Sequence, residues 1–467
     1  MLVASLTSWT LETLRRDAAS ALDRGAQALE VRADFLDDPD PQKAREALPG
    51  TAVYTLRPRR AGGRWAGTEP DRLDLLQRAS RAHFEYVDLE YDAGLKPRDL
   101  GAKCVLSFHD FGGVPATLEA TLKRMAGHGP SVVKAVCRCE TLEDELALVR
   151  LQKAFGPPAS VFAMGPSALV SRVLGPKHGA PLVYASPGPS AEAAPGQPAL
   201  GAMADLYRVQ AVGKDTRVFG LAGHPLGHSL SPRLHNDAFH QDGIDAVYLP
   251  FDARDWNALW NARDLLGLQG LSVTLPHKEA ALEAADGVSD TARSAGAANT
   301  LARRGGRWFA DNTDAPAIRD ALREGNVPLC DAAVLVLGAG GAARAACLAL
   351  QEEGARIHVA GRTPERAGAL ARRFGGSAIP FPVRDVSGFD LVVNATPVGM
   401  WPGTDGTPLD PSLLSPAQAV FDMVYNPEET ALLRAAKGLG CRTVGGMAMF
   451  VRQAALQRAI WEERGMD

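Results

Sequence analysis

Short apolar runs and longer amphipathic stretches alternate along the chain, and the rhythm changes near residue 213. Before that point, residues 2–7, 29–34, 51–57, 85–91, 103–110, 132–139, 161–165 and 182–186 read as strands. Helical patterns over 11–26, 71–81, 117–126 and 142–155 separate most of them. Eight βα units in about 200 residues predict a compact (β/α)8 TIM barrel, with an open doubly wound sheet as the competing architecture. In the second strand Leu29, Val31 and Ala33 point one way, and Glu30, Arg32 and Asp34 the other. The apolar set belongs under the helices, so the charged set faces the lumen. Asp88 with Glu90, Ser107 with His109, and Lys134 repeat the pattern, while Arg57 ends the third strand. So many ionisable groups in one lumen are costly unless they form a site. For any single residue, a paired lumen salt bridge is the alternative.

Residues 213–217 read as a short polar linker. A strand over 217–222 then leads into Gly223-His224-Pro225-Leu226-Gly227-His228-Ser229-Leu230-Ser231-Pro232. Ser231 suits an N-cap and Pro232 a first helical residue, so the hydroxyls of Ser229 and Ser231 meet a helix N-terminus, a place for a carboxylate. His224 and His228 read as loop-ordering residues. Farther on, the strand 272–274 leads to Lys278, Gly296-Ala297-Ala298-Asn299-Thr300 ends in an amide and a hydroxyl, and Asp311-Asn312-Thr313-Asp314 precedes a helix. Lys278 and Asp314 form a candidate proton-transfer pair, with a structural salt bridge as the rival reading.

From Val334 a buried strand runs into Gly338-Ala339-Gly340-Gly341-Ala342-Ala343 and an alanine-rich helix. Gly338, Gly340 and Ala343 occupy the spaced positions of a dinucleotide fingerprint. The helix N-terminus offers free N–H groups to phosphates. Where an NAD-binding chain places an acid after the next strand, this one has Gly361-Arg362-Thr363-Pro364-Glu365-Arg366. Arg362, Thr363 and Arg366 suit a 2′-phosphate, which favours NADP(H).

At 467 residues with 46% hydrophobic and 22% charged residues, the chain reads as a globular protein of several domains. A net charge of −4 without a basic run gives no signal for nucleic acid. No stretch has the length to span a bilayer, and the N-terminus lacks the layout of a signal peptide, so a cytoplasmic enzyme with reduced thiols is expected. The six cysteines are scattered apart from Cys137 and Cys139, which have no matching pair, so no metal site is expected. Lys134 lies in Val132-Val133-Lys134-Ala135-Val136, where desolvation and nearby arginines are expected to favour a nucleophilic amine. His109 can move protons near neutrality. An imine-forming lysine beside such a histidine suits loss of water from a β-hydroxy ketone.

The first half resembles the type I 3-dehydroquinate dehydratase family. Leu29-Glu30-Val31-Arg32-Ala33-Asp34, Thr55-Leu56-Arg57, Ser107-Phe108-His109-Asp110-Phe111, Lys134 and Ala194-Pro195-Gly196-Gln197 carry the likeness. The resemblance implies a covalent Schiff base on Lys134, with His109 handling protons. Glu30, Arg32 and Arg57 line the site, Arg172 clamps the substrate carboxylate and Gln197 sits on a closing loop. Where the family has an acid before its Gly-Gly pair this chain has Ala61, and its loop serine is replaced by Ala193.

The second half resembles shikimate dehydrogenases. It has their serine turn, the Pro276-His277-Lys278 segment, Ala298-Asn299-Thr300, Asn312-Thr313-Asp314, the glycine turn, the arginine clamp, Asn394-Ala395-Thr396-Pro397-Val398-Gly399-Met400, Asp422-Met423-Val424-Tyr425 and 446–453. The departures are Gly361, for an asparagine of the clamp, and Ala448, for a glycine. The resemblance implies that Lys278 and Asp314 are catalytic and that Ser229, Ser231, Thr274, Asn299, Tyr425 and Gln453 hold substrate. Gly338, Ala339, Gly340, Gly341, Ala342, Arg362, Thr363, Arg366, Thr396, Met423 and Gly446 are implied to hold the cofactor.

The expectation is an α/β chain with a barrel over 1–211, a substrate domain over 217–317 with a helix over 446–467 packing back, and a Rossmann domain over 318–445. It would turn 3-dehydroquinate into 3-dehydroshikimate, then into shikimate. The rival readings are an inert barrel acting as a scaffold, a quinate-oxidising dehydrogenase and a non-catalytic NADPH-binding regulator. Small-molecule substrates are the expected partners, and a homodimer is left open.

Overall fold

The structure is a computed structural model, and it describes residues 1–188, 192–227 and 229–463. The chain divides into two compact units, Met1–Phe219 with Asn236–Leu268, and Gly220–His235 with Gln269–Asp467.

The first unit is built on eight strands: β1 (Leu2–Leu6), β2 (Ala28–Arg32), β3 (Ala52–Thr55), β4 (Tyr86–Glu90), β5 (Lys103–Asp110), β6 (Val132–Arg138), β7 (Ala159–Met164) and β8 (Val183–Ala185). They stand in the order β7-β6-β5-β4-β3-β2-β1-β8, which gives a nearly closed parallel barrel and not an open sheet. Between β7 and β8, Ser160 Oγ donates to Leu182 O at 2.9 Å and accepts from Leu182 N at 3.2 Å. The expected helices are present, Leu142–Phe155 with the bounds expected and the other three with an end shifted. The first is Leu11–Asp23, started by a Thr10 capping box and stopped before the left-handed Gly25. Arg57 lies two residues beyond β3, on the loop that leaves the barrel. The lumen narrows downward into an apolar plug that includes Val3, Ala28, Val53, Val105 and Val132, so the polar side chains above it collect at the C-terminal mouth.

In the second unit the strands Ser377–Ala378, Arg356–Ala360, Ala333–Leu337, Leu391–Asn394, Ala419–Asp422 and Arg442–Gly445 form one parallel sheet in that order. This is the doubly wound Rossmann order. The run Val334-Leu335-Val336-Leu337 is apolar without alternation because both faces are covered: Val334 and Val336 join one core, Leu335 and Leu337 the other. Elsewhere in this unit Leu268–Val273 pairs antiparallel with Thr300–Arg304, which pairs antiparallel with Arg307–Asp311. The last helix is Gly446–Glu462. It packs back on these strands, with Gln457 Oε1 accepting from Ser272 Oγ at 2.7 Å and Trp461 Nε1 donating to Leu301 O at 3.0 Å. Among the described residues no helix is long and apolar enough to cross a membrane.

Candidate active sites

At the barrel mouth one pocket is lined by Ser5, Glu30, Arg32, Arg57, His109, Lys134, Arg172 and Gln197, together with Phe111, Phe162, Met164 and Tyr184. Every residue predicted for the first site therefore converges. Period-two strand geometry is the reason: Glu30, Asp88, Ser107 and Lys134 sit on neighbouring strands at register positions facing the lumen.

Lys134 Nζ lies 3.0 Å from Asp88 Oδ2 and 3.7 Å from Glu30 Oε1, above the Tyr184 ring at 4.0 Å from its centroid. The sequence pattern suggested arginines beside this amine; its immediate charged neighbours are carboxylates instead. Although burial opposes its ionisation, Arg57 and Lys134 hold Asp88 well below the usual carboxylate range. Burial, reinforced by the positive charges of Arg57 and Lys134, pushes the His109 imidazole well below its ordinary value. These influences favour the neutral ring, whose Nδ1 lies 3.4 Å from Arg57 Nη1. Ala61 lines the pocket without supplying an acid. Ala193 contributes through its backbone, its carbonyl accepting from Arg32 at 3.1 Å and its N–H donating to Gln197 Oε1 at 3.0 Å.

Arg172 is 2% exposed and crosses the barrel seam, with Nε donating to Ala163 O on β7 at 3.1 Å and Nη1 to Tyr184 O on β8 at 2.8 Å. Burial brings its pKa down to about 10. A buried guanidinium bound by carbonyls, with the Glu145 charge only partly offsetting the burial, retains N–H donors that an anion would satisfy.

Sequence reasoning missed three features of this site: the pairing of Asp34 with Arg32, the ring beneath Lys134 and a buried arginine. Asp34 accepts both Arg32 Nε at 2.9 Å and Nη2 at 2.8 Å, and also receives the N–H of Arg64 at 2.9 Å. Tyr184 carries the amine on its ring. Arg72, buried on the helix Glu69–Arg81, pairs with Glu90. Its signal was present: Arg72, Leu76 and Ala79 form the buried stripe of that helix, an odd place for an arginine.

In the second unit Lys278 Nζ lies 2.5 Å from Asp314 Oδ2, and Asn299 Nδ2 donates to Asp314 Oδ1 at 2.8 Å and to Thr313 Oγ1 at 2.9 Å. The serine turn forms a further cluster: Ser229 Oγ lies 3.2 Å from Ser231 Oγ and 3.5 Å from Tyr425 Oη. Thr274 joins its edge through a bond from its N–H to Ala222 O at 2.9 Å. Tyr425 stacks on Phe450, with ring centroids 4.2 Å apart, and Gln453, one turn on, donates to Phe450 O at 3.0 Å. His228 lies outside the described residues.

Gly338 has φ +116° and a Cβ there would sit 2.9 Å from Ala395 O, so the turn admits only glycine. At Gly340 a Cβ would meet nothing within 4 Å, which leaves the space a pyrophosphate needs. At Gly341 it would lie 2.8 Å from Lys278 Cδ, so the glycine turn packs against the stem of Lys278. Ala339 and Ala342 complete the turn, and Arg362, Thr363 and Arg366 are exposed at the start of the helix Pro364–Arg373. Thr396 donates to Asn394 Oδ1 at 2.6 Å, Met423 N to Asn394 O at 3.0 Å, and a Cβ on Gly446 would be 2.5 Å from Met423 O. These three therefore gather at the carboxyl ends of neighbouring strands, where doubly wound sheets bind nucleotides.

The description "Type I 3-dehydroquinase" matches residues 2–214, "Shikimate dehydrogenase substrate binding domain" matches 221–301, and "Shikimate / quinate 5-dehydrogenase" matches 321–397. The chain is 32% identical over 99% of its length, and 82% of the relative's, to a chloroplastic bifunctional 3-dehydroquinate dehydratase/shikimate dehydrogenase of Arabidopsis thaliana. It belongs to that bifunctional family. One chain thus carries a lyase, the dehydroquinate dehydratase, and an oxidoreductase, the shikimate dehydrogenase, both of the shikimate pathway. An NADP(+)-dependent shikimate dehydrogenase of Shouchella clausii is 41% identical over 53% of this chain and 94% of its own. Among solved structures, a shikimate dehydrogenase in complex with NADP+ matches 54% of this chain and 91% of its own, at 36% identity and TM-score 0.50. The enzyme of Aquifex aeolicus matches 54% and 94%, at 32% identity and TM-score 0.51.

Proposed function

We propose that the barrel performs its dehydration through an imine on Lys134. The amine attacks the ketone carbon and water leaves. The cationic imine acidifies the carbon between ketone and hydroxyl, neutral His109 removes that proton, and the hydroxyl departs as water with a returned proton. Hydrolysis of the imine then frees Lys134 and 3-dehydroshikimate. Arg172 receives the substrate carboxylate, Gln197 closes the mouth, and Glu30, Arg32 and Arg57 hold the ring hydroxyls. The observation that carries this reading is the single pocket in which Lys134, His109 and Arg172 meet.

In the second unit Ser229, Ser231 and Tyr425 receive the carboxylate, while Thr274, Asn299 and Gln453 hold hydroxyls. Lys278, paired with Asp314, gives a proton to the carbonyl oxygen. NADPH, when bound at Gly338–Ala342 (338–342), Arg362, Thr363, Arg366, Thr396, Met423 and Gly446, supplies the hydride. The open space at Gly340 and the exposed arginine pair fit that cofactor. We place the functional divisions at 1–211, 217–317 with the last helix, and 318–445. The test is conversion of 3-dehydroquinate to shikimate with NADPH, with borohydride trapping located by peptide mass. A substrate-derived adduct on a lysine other than Lys134 refutes the barrel assignment, and NADH outperforming NADPH refutes the cofactor assignment.

A further inference from the structure

From the pocket into the wall behind it runs a ladder of alternating charges, whose members Arg72, Glu90 and Asp88 no step above uses. Its outer end is Arg72, fully buried on the helix Glu69–Arg81. Arg72 Nε donates to Glu69 Oε2 at 2.9 Å, Nη2 to Glu69 Oε1 at 2.6 Å and Nη1 to Leu56 O at 3.2 Å, and Nη1 also pairs with Glu90 Oε2. The other oxygen of Glu90 accepts from Arg57 Nη1 at 2.9 Å. That same nitrogen lies 2.9 Å from Ser107 Oγ, 3.1 Å from Asp88 Oδ1 and 3.4 Å from His109 Nδ1. Asp88 in turn holds Lys134 at 3.0 Å. Arg57, His109 and Lys134 line the pocket; Arg72, Glu90 and Asp88 do not.

We infer that Arg72 is a positioning residue for the dehydration: by keeping Glu90 charged and turned onto Arg57, it keeps Arg57 balanced between Glu90 and Asp88, and so leaves Asp88 to Lys134. One Arg57 nitrogen, with two hydrogens, faces four acceptors, so its position depends on how strongly each pulls. Glu90 is 3% exposed, and burial pushes its carboxyl up while Arg57 and Arg72 oppose that shift. Without Arg72 a neutral Glu90 releases Arg57, which moves onto Asp88 and competes with the amine for that carboxylate. The distance and charge at Lys134 and His109 then change although no pocket residue has been altered.

The inference rests on the roles given to Lys134 and His109, and that assignment fails separately, by the position of the borohydride adduct. Arg72→Met in the full-length chain is expected to lower kcat for dehydration about 10²-fold, as for a displacement of roughly 1 Å at the reacting groups. KM for dehydroquinate is expected to stay within about threefold, because Arg72 does not reach the pocket. Arg72→Lys, which restores the charge facing Glu90 but not the fork, should recover part of the loss. The double variant Arg72→Met/Glu90→Gln removes both buried charges, leaves neither orphaned, and carries the test even if the single variant folds poorly. On this inference its kcat stays low, since no carboxylate draws Arg57 away from Asp88. An unchanged kcat in Arg72→Met, a recovered kcat in the double variant, or a loss confined to KM overturns it and leaves Arg72 a structural pair only.

Discussion

The two sites are built in opposite ways. In the barrel the proposed chemistry belongs to the protein, and its charged groups are sealed into the lumen: Asp88 is 0% exposed, Arg57 3% and Lys134 4%. Each is held by charged partners from other strands of the barrel, so the geometry is fixed before substrate arrives. In the second unit the hydride is supplied by a cofactor, and the groups proposed to hold it stand open: Arg362, Thr363 and Arg366 are exposed, and a Cβ on Gly340 would meet nothing within 4 Å. The proposed proton pair there, by contrast, is held tightly, at 2.5 Å, with Asn299 orienting Asp314. A covalent mechanism needs a dry, prearranged amine, whereas a cofactor enzyme needs room and charge complementarity.

The sharpest break in this contrast is Lys134→Ala. It should lower dehydration by on the order of 10³-fold or more while NADPH-linked reduction of 3-dehydroshikimate is unchanged, since a nucleophile acting with its base cannot be replaced by binding alone. Residual dehydration near the wild-type rate would show that the sealed amine is not the nucleophile. The reciprocal change, Lys278→Met, should cost reduction about 10²- to 10³-fold and leave dehydration alone; separate steady-state assays on one preparation measure both. Removing the open clamp by Arg362→Ala with Arg366→Ala should cut the NADPH-over-NADH preference in kcat/KM by about 10- to 100-fold, the worth of charge-assisted bonds to a phosphate.

A finer test separates two glycines of one turn. Gly341→Ala pushes on Lys278 Cδ and should lower kcat for reduction about tenfold with little change in KM for NADPH, as expected of a misplaced proton donor. Gly340→Ala, which meets only open space, should instead raise that KM.

The smallest effect concerns pH. Because the His109 pKa is depressed in the folded protein, its neutral form persists as pH falls through the ordinary histidine range and is lost only well below it. The acidic limb of kcat/KM for dehydration should therefore lie well below pH 6.5, provided that limb reports His109. A limb at or above 6.5 would mean that the ring is not held as described.

Much of both sites could be read along the chain because their residues sit in short local motifs. Glu30 with Arg32 follows strand alternation, the glycine turn follows a strand and precedes a helix, and Ser229 with Ser231 marks a helix start. What could not be read depends on distant residues. Arg172 looks like a simple carboxylate clamp until the gap between β7 and β8 is seen to occupy part of its guanidinium. The arginines expected beside Lys134 turned out to be Asp88 and Glu30, because which lumen groups touch is set by register across strands and not by spacing within one.

By itself the amino-acid order determined the alternation of strands and helices, the faces of each strand, the turn glycines and the residue types able to do imine and hydride chemistry, since these follow from local sterics and periodicity. Tertiary structure alone decided which charges neutralise one another: Arg72 reaches Glu90, Glu90 reaches Arg57, and Gly341 meets Lys278. Those pairings set the electrostatics of each site because charges interact through space, and burial strengthens the interaction by removing the water that would screen it.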